Sequence, residues 1–269
     1  MSQAPEHAFW AGFRDLDRDQ APEALITQQE ALAAWPPIRD GKRRSYELLD
    51  LRPGDSVLDV GCGTGGDVAA LSRIVGPAGR AAGVDKSARS ISLARERGDE
   101  NSDFTVADAD ELPFDDATFD ACRTERTLQH ARRPRRALME MARVTRPGGR
   151  IAATDSRAGL VGLEQLNSEV TAPVLGHVFP DEAWIAHFLP LLFQQAGLAG
   201  LELTSQTGRA SGWETIRDGL GLEAIAQRLV AGGTVTPPAM ADWYEACRQA
   251  CDAGNVELEI TVVHLLARR

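Results

Sequence analysis

The stretch 57–66 reads VLDVGCGTGG and decides the fold. An apolar strand runs straight into a glycine-rich turn, and a helix opens directly after it. Taken alone, Gly61-x-Gly63-x-x-Gly66 also matches the dinucleotide fingerprint, in which glycines let the backbone approach a pyrophosphate. Asp59, two residues before the first glycine, argues against that ligand because its carboxylate would repel a phosphate. The turn is therefore expected to bind a ligand that is cationic near the glycines and carries no phosphate.

Short apolar strands alternate with amphipathic helices on the C-terminal side of this motif. The strands are predicted at 55–60, 80–85, 102–106, 118–123, 149–155, 199–206 and 256–266. The helices are predicted near 65–75, 87–98, 134–146, 181–196 and 238–252, with a further apolar-periodic stretch at 212–230. This alternation is typical of an α/β fold with a mostly parallel sheet and helices on both faces.

The chain divides into an N-terminal helical segment, 1–50, and a domain, 51–269. Apolar side chains recur three and four positions apart within 23–35, which predicts a helix there. Two stretches of the domain, 156–180 and 208–254, show no strand pattern and are too long for plain loops. We expect these insertions and segment 1–50 to form a helical cap.

The composition excludes several classes of protein. The 269 residues carry 29 basic and 39 acidic side chains, a formal net charge of −10, which disfavours a nucleic-acid partner. The longest apolar runs are shorter than the roughly 18 residues of a membrane span, and residues 1–20 lack the apolar core of a secretory signal. The four cysteines lie far apart without a C-x-x-C pair, which disfavours disulfides and zinc. A cytoplasmic protein is predicted.

S-adenosylmethionine fits the ligand that the glycine turn requires, because it carries an ammonium and a sulfonium but no phosphate. At VLDVGCGTGG the sequence resembles the class I S-adenosylmethionine-dependent methyltransferases. The resemblance continues through GVDKS at 83–87, ADA at 107–109, LPFDDATFDAC at 112–122 and the segment 128–155. It is similar to the small-molecule branch, which includes quinone-biosynthesis and natural-product methyltransferases. This resemblance implies a Rossmann-like, seven-stranded, mostly parallel sheet whose last strand lies antiparallel beside strand 199–206.

The resemblance also implies a cofactor site at the carboxyl ends of the strands. Asp85 is placed to accept hydrogen bonds from both ribose hydroxyls, and Asp108 to accept one from the adenine amino group. Either aspartate could instead cap a helix. Glu125 either contacts the cofactor or forms a surface pair with Arg123 or Arg126. The other expected cofactor contacts are Arg44, bound to the methionine carboxylate, and Asp59, Gly61, Cys62, Gly63, Lys86 and Ala109.

Two histidines are candidate catalytic residues. Methyl transfer from a sulfonium is an in-line displacement, so a base is needed only when the acceptor must lose a proton. His130 follows the fourth strand at the ligand-binding edge and either accepts that proton or, as we favour, shapes the pocket. His177, in GHVFPDEAW, is the second candidate, with a solvated loop histidine as the alternative. No metal site is expected, because Asp155 lacks a partnering Asp-Asn pair.

The predicted function is methyl transfer to oxygen, nitrogen or carbon of a small-molecule acceptor, a secondary metabolite or a quinone-like ring. RTER occupies 123–126, where base and amide N-methyltransferases carry an N/D-P-P-Y/F turn, which argues against such acceptors. Two alternatives stay open: an S-adenosylmethionine-binding protein that catalyses a non-methylating reaction such as cyclisation, and an NAD(P)-dependent oxidoreductase. A homodimer is also left open.

Overall fold

The computed structural model describes residues 16–18, 22–163, 166, 168–178 and 185–269. Contacts divide the chain into two compact units. We call one of them the sheet unit, which comprises Asp40–Ser156, Trp184–Ser205 and Val262–Arg269. The other, the helical unit, comprises Met1–Arg39, Arg157–Ala183 and Gln206–Thr261.

Seven strands form one sheet. Their bounds are β1 Ser56–Val60, β2 Arg80–Asp85, β3 Ser102–Val106, β4 Phe119–Glu125, β5 Thr145–Val161, β6 Ala199–Ser211 and β7 Glu257–Arg268. The strand order is β3-β2-β1-β4-β5-β7-β6, and the pairs β1–β2, β1–β4, β2–β3 and β4–β5 are parallel. The predicted α/β fold with a seven-stranded sheet is confirmed. Because β2 and β4 flank β1 on opposite sides, the strand order reverses at β1, which is where open α/β sheets bind ligands.

The last strand lies inside the sheet, between β5 and β6. Thr207 Oγ1 lies 2.8 Å from Thr261 Oγ1, and Arg209 Nη2 lies 3.2 Å from Glu259 Oε2. Residue numbers therefore fall along β7 as they rise along β6, which is the pattern of an antiparallel pair. This agrees with the predicted insertion of the last strand.

Ten α-helices are present among the described residues. Their bounds are α1 Pro22–Ala33, α2 Pro36–Leu49, α3 Gly66–Val75, α4 Ala88–Arg97, α5 Pro134–Val144, α6 Ser168–Val178, α7 Ile185–Gln195, α8 Trp213–Leu220, α9 Leu222–Ala231 and α10 Pro237–Asp252. The helices α3, α4 and α5 begin within one residue of their predicted starts. Helix α4 is capped by Ser87, whose hydroxyl accepts a hydrogen bond from the N–H of Ser90 at 3.0 Å. None of the helices in the described part of the chain is long and apolar enough to cross a bilayer.

Two strands are longer than predicted. Strand β5 begins at Thr145 rather than at residue 149, because Thr145 already has extended dihedral angles and ends α5. Phe119 pairs with Thr145 and Ala121 with Arg150, so a β-bulge absorbs the extra residues of the Pro-Gly-Gly segment. Strand β5 also runs on to Val161 and β6 to Ser211, into stretches where the sequence shows no strand pattern.

Both faces of the sheet are covered within the sheet unit. Val57 belongs to a core cluster with residues of α3 and α4, whereas its neighbour Leu58 belongs to a second cluster with residues of α5 and α7. Successive side chains of β1 point to opposite faces, so this strand is apolar on both. Asp59 interrupts the apolar run and is nevertheless buried, at 1% exposure. A buried carboxylate requires a partner, which the fold has to provide.

Candidate functional site

The glycine turn lies at the carboxyl end of β1 and has a left-handed backbone. Gly61 has φ +78°, and a Cβ atom at this position would overlap the Thr127 side chain. Thr127 follows β4, so the turns after β1 and β4 are packed directly against each other. Gly61 must therefore be glycine for two reasons, its backbone angle and this close approach.

The N–H groups of this turn are bonded within the protein. The N–H groups of Gly61 and Cys62 both donate to the Val84 carbonyl, at 2.8 and 2.9 Å. The Gly63 N–H donates to Asp85 Oδ2 at 3.0 Å. A pyrophosphate is bound by backbone N–H groups that point at it, and here three of them point inward. This geometry agrees with the predicted ligand that carries no phosphate.

Asp85 braces the turn from the end of β2. Its Oδ2 accepts from Gly63 and its Oδ1 from the Ser87 N–H at 2.9 Å. Because Ser87 is the cap of α4, the alternative that Asp85 caps this helix is wrong. The half-buried carboxylate of Asp85 ties the carboxyl ends of β1 and β2 together.

The residues predicted to surround the adenosine lie around the ends of β2 and β3. The Ala107 N–H donates to the Asp85 carbonyl at 3.0 Å, which joins the two strand ends. Asp108 is exposed, and its Oδ1 accepts from the Asp110 N–H at 3.0 Å, so it caps its own turn rather than a helix. Ala109 is half-buried and Lys86 is exposed. The contacts of all these residues with a cofactor stay predictions.

A group of charged side chains is buried beneath the glycine turn. We call it the charge cluster, and its members are Lys42, Asp59, Asp67, Arg123 and Glu125. Arg123 is its centre: the guanidinium lies 3.0 Å from Asp59 and 3.3 Å from Asp67, and it donates a hydrogen bond to Glu125. The sheet register places Asp59 on β1 directly beside Arg123 on β4. The partner that Asp59 requires is thus an arginine 64 residues away in sequence.

Helix α2 completes this cluster. The Lys42 ammonium lies 2.6 Å from Asp67 and 3.0 Å from Glu125. The Ser45 hydroxyl accepts from Arg123 at 3.2 Å, and the Tyr46 hydroxyl donates to Asp67. These three side chains were not predicted as site residues. Lys42 belongs to the basic run 42–44, which is typical of a solvated helix face. Their helical spacing is the only signal in the sequence, since positions three and four apart share one face.

The cluster holds three carboxylates against two cations. Burial raises the pKa of Asp59 to about 7, although Arg123 counteracts this. Burial also opposes ionisation of Asp67, but Arg123 and Lys42 outweigh it and hold the pKa of Asp67 well below its usual range. Asp59 Oδ2 has no hydrogen-bond partner among the described residues. The cluster therefore places three carboxylates, one of them with an unbonded oxygen, next to the glycine turn.

The structure corrects two interpretations of charged residues. Glu125 is not part of a surface pair: its side chain is 5% exposed and contacts Lys42, Arg123 and, at 3.6 Å, Arg126. Arg44 does not reach the cluster, because its exposed guanidinium pairs with Glu47 at 3.1 Å on the same helix. The cation that α2 brings to the site is Lys42 instead. The predicted contact of Arg44 with a methionine carboxylate stays a prediction.

The two candidate bases belong to different units. His130 ends a short 3₁₀ helix, Leu128–His130, that directly follows the Thr127 turn in the sheet unit, and it is half-buried. His177 lies on α6 in the helical unit, with Nδ1 3.0 Å from the Pro173 carbonyl, so the alternative of a loop histidine is wrong. The role of either histidine as a proton acceptor stays a prediction.

Two further titratable groups are buried beside the carboxyl end of β4, where Glu125 pairs with Thr154 of β5. His264 Nδ1 lies 3.0 Å from Thr154 Oγ1, and burial lowers the pKa of His264 to about 4, so the ring is neutral. The Thr154 carbonyl accepts from the N–H of Arg126, at 2.9 Å. Asp155 is buried, and burial raises its pKa to about 7. Sequence reasoning placed His264 on the last strand but did not indicate its contact with Thr154.

Replacing Asp155 by Asn is expected to change how stability depends on pH. In the folded protein the pKa of Asp155 is about 7, above the roughly 3.9 of an unfolded chain. The folded state therefore binds the proton more tightly, and this contribution is lost as the pH rises from about 4 to about 7. Relative to Asp155→Asn, the wild type should lose up to about 1.4 kcal/mol of unfolding free energy per pH unit in this range. Urea denaturation at several pH values measures it.

Asp116→Asn is the control for that experiment, because its carboxylate is 71% exposed. It should follow the wild-type pH profile. Identical profiles for wild type and Asp155→Asn would contradict a shifted pKa at this carboxylate.

The sequence predicts neither a metal site nor disulfides. Among the described residues there is no group of three or more His, Cys, Asp or Glu side chains that could hold a metal ion. The thiols of Cys62, Cys122, Cys247 and Cys251 are free and buried. Fold and site together define a Rossmann-like α/β protein with carboxylates buried next to its glycine turn.

Comparison with known proteins identifies the family. Residues 58–153 match the family model described as "Methyltransferase domain". The chain is 33% identical over 242 residues to methyltransferase GfsG of Streptomyces halstedii, which covers 80% of this chain and 86% of that protein. It is 28% identical over 183 residues to a demethylmenaquinone methyltransferase of Bacillus cytotoxicus, covering 60% of this chain and 77% of that one. The chain belongs to the class I S-adenosylmethionine-dependent methyltransferases, and its cofactor is S-adenosylmethionine.

Two further similar proteins are covered only in part by this chain. An uncharacterized 37.1 kDa protein in a transposon of Streptomyces fradiae is 31% identical over 225 residues, covering 82% of this chain and 65% of that protein. The solved structure of a phosphoethanolamine N-methyltransferase from Haemonchus contortus shares the fold, with TM-score 0.59, 18% identity and coverage of 96% and 60%. The chain thus spans less than two thirds of the length of each of these two proteins.

Proposed function

We propose that this methyltransferase modifies an oxygen, nitrogen or carbon atom of a small-molecule acceptor, either a secondary metabolite or a quinone-like ring. The observation that carries the proposal is the turn after β4. Arg123 and Glu125, at the end of β4 directly before this turn, are committed to the charge cluster. Enzymes acting on bases and amides carry an N/D-P-P-Y/F clamp for a planar amine at these positions. The similarity to the demethylmenaquinone methyltransferase of Bacillus cytotoxicus supports a quinone-like ring.

The residues of the sheet unit have distinct roles in this proposal. The bound cofactor supplies an activated methyl group on its sulfonium. Asp85 accepts hydrogen bonds from the ribose diol, because each oxygen of a carboxylate can accept more than one hydrogen bond. Asp108 and Ala109 contact the adenine. Asp59 Oδ2, which has no hydrogen-bond partner among the described residues, supports a cationic ligand at the glycine turn.

Acceptor recognition by a cap built from 1–50, 156–180 and 208–254 is part of the proposal. Its support is that the cap segments lie entirely outside the matched residues 58–153 and that most of their residues belong to the helical unit. The division between units falls at Asp40, inside segment 1–50, so the end of α2 contributes to the charge cluster instead. A cytoplasmic location, a homodimer and the lack of a nucleic-acid partner stay predictions.

A two-stage experiment tests the proposal. Calorimetric titration with S-adenosylmethionine and S-adenosylhomocysteine establishes binding, and candidate acceptors are then screened by mass spectrometry. A gain of one CH₂ group together with formation of S-adenosylhomocysteine supports the proposal. A product isomeric with its substrate, formed without S-adenosylhomocysteine, would replace it with a cyclisation. Methylation of peptides or nucleic acids alone would overturn the assignment of a small-molecule acceptor.

Replacing His130 by Asn separates proton transfer from pocket shape. Asn keeps hydrogen-bonding capacity but accepts no proton near neutral pH. Because alignment with an activated methyl group drives the displacement, we expect turnover within about tenfold of wild type and a raised KM for the acceptor. Steady-state kinetics with an identified acceptor measures both. A fall in turnover of about 10²-fold or more with normal cofactor binding would show that His130 is a general base.

A further inference from the structure

The charge cluster carries one negative charge more than it has positive charges. Its carboxylates are Asp59, Asp67 and Glu125, and its cations are Arg123 and Lys42. Tyr46 donates a hydrogen bond to Asp67 but stays neutral, since burial and Asp67 raise the pKa of its hydroxyl. The formal sum of these five ionised side chains is therefore −1, and Arg126, whose guanidinium lies 3.6 Å from Glu125, offsets it.

The charges at the centre of the cluster are buried, so water screens them weakly. The side chains of Arg123, Asp59 and Glu125 are 1%, 2% and 5% exposed. Charges in such surroundings act over longer distances than charges at the surface. The field of the cluster therefore extends to a ligand above it.

The carboxylates of the cluster belong to three elements that meet at the glycine turn. Asp59 precedes Gly61 by two residues on β1, and Asp67 belongs to the first turn of α3, directly after the turn. Glu125 ends β4, and Thr127, two residues later, packs against Gly61. A ligand bound over this turn thus lies directly above the cluster.

The cofactor and its product differ in charge at one atom. S-adenosylmethionine carries a sulfonium, whereas S-adenosylhomocysteine carries a neutral thioether and is otherwise the same molecule. The charge of the cluster therefore contributes to the difference between the two affinities, whereas contacts with the ribose and adenine are common to both. Each negative charge in the cluster favours the charged cofactor over the product, and each positive charge has the opposite effect.

Lys42 is the member of the cluster that adjusts this charge. It lies on α2, outside the matched residues 58–153, and reaches Asp67 and Glu125 without being part of the sheet. We propose that Lys42 is a specificity-determining residue, which limits the negative charge of the cluster and so sets the ratio of cofactor affinity to product affinity. The inference rests on the cofactor lying over the Gly61 turn.

The test measures dissociation constants of both ligands by calorimetry, at about pH 8, above the pKa of about 7 to which burial raises Asp59. Lys42→Met leaves the cluster one charge more negative. We expect the ratio of the S-adenosylhomocysteine constant to the S-adenosylmethionine constant to rise about 3- to 15-fold, as for a unit charge about 10 Å away at an effective dielectric of about 20 to 40. Glu125→Gln makes the opposite change and should lower the ratio by a similar factor.

Arg43→Met is the matched control, because it removes the same charge from the neighbouring position of α2, where the side chain is 73% exposed. It should leave the ratio within about twofold of the wild-type ratio, because water and salt screen exposed charges. Lys42→Arg keeps the charge and should restore the wild-type ratio.

Each outcome bears on the inference. Equal losses of affinity for both ligands in Lys42→Met would show that Lys42 only docks α2, and the inference would be overturned. If Lys42→Met does not fold, an unchanged ratio in Glu125→Gln overturns it equally. Failure to find a methylated acceptor would leave this test intact, because it uses binding alone.

Discussion

Arg123→Met is expected to lower the free energy of unfolding by about 3–5 kcal/mol, the range for breaking a buried ion pair by removing one partner. Arg123 is buried and contacts the carboxylates of Asp59, Asp67 and Glu125. Methionine fills a similar volume but cannot donate a hydrogen bond, so these carboxylates keep only Lys42 as a cationic partner within the cluster. Urea denaturation followed by circular dichroism measures the loss.

The control for this prediction is an exposed ion pair in the same unit. Arg44→Met removes a guanidinium that lies 3.1 Å from Glu47 and is 45% exposed. Surface pairs of this kind contribute about 0–1 kcal/mol, so stability should hardly change. Similar losses in both variants would contradict a special role for burial at Arg123. A loss below about 1 kcal/mol for Arg123→Met alone would mean that protons neutralise the abandoned carboxylates.

Asp85→Ala is expected to weaken cofactor binding by about 1.5–3 kcal/mol, or roughly 10- to 150-fold. The substitution removes the proposed acceptor for the ribose diol. It also releases Gly63, whose N–H donates to Asp85 at 3.0 Å, so the glycine turn is no longer braced. Calorimetric titration with S-adenosylhomocysteine gives the affinity, and thermal unfolding without ligand reports the structural part.

Asp103→Ala is the matched control, because this carboxylate also lies in the sheet unit but is exposed beside Arg80. It should leave affinity unchanged. Asp85→Asn keeps one oxygen acceptor and should fall between wild type and Asp85→Ala. If Asp85→Ala unfolds easily and still binds as wild type does, the carboxylate only braces Gly63 and Ser87, and its proposed ribose contact is wrong.

These predictions share a physical basis in how the site is assembled. The glycine turn and Asp85 lie within the residues matched by the family model, 58–153, and hold each other by short-range hydrogen bonds. The cation Lys42 comes from outside that range. The proposed cofactor contacts thus lie in the shared domain, whereas the charge balance of the cluster depends on a helix that precedes it.

The sequence by itself determined the strand, glycine turn and helix at 57–75, because these depend on local rules. Apolar alternation, left-handed angles at Gly61 and the spacing of polar residues all act over a few residues. The same rules located seven strands and the ligand-binding edge. They failed where a longer-range contact decided the outcome: β5 begins at Thr145 because β4 offers it a bulged partner strand.

Only the tertiary structure decided which charges meet. Asp59 is recognisable in sequence as a buried acidic residue, but its partner Arg123 lies 64 positions later on the neighbouring strand. Lys42 and Arg44 are equivalent in sequence, since both belong to one basic run, yet one is directed to the buried carboxylates and the other to solvent. Burial converts that difference in direction into energy, because an unpaired charge is costly in the protein interior and inexpensive in water. A linear pattern records neither the direction nor the burial, and therefore it could not distinguish the two.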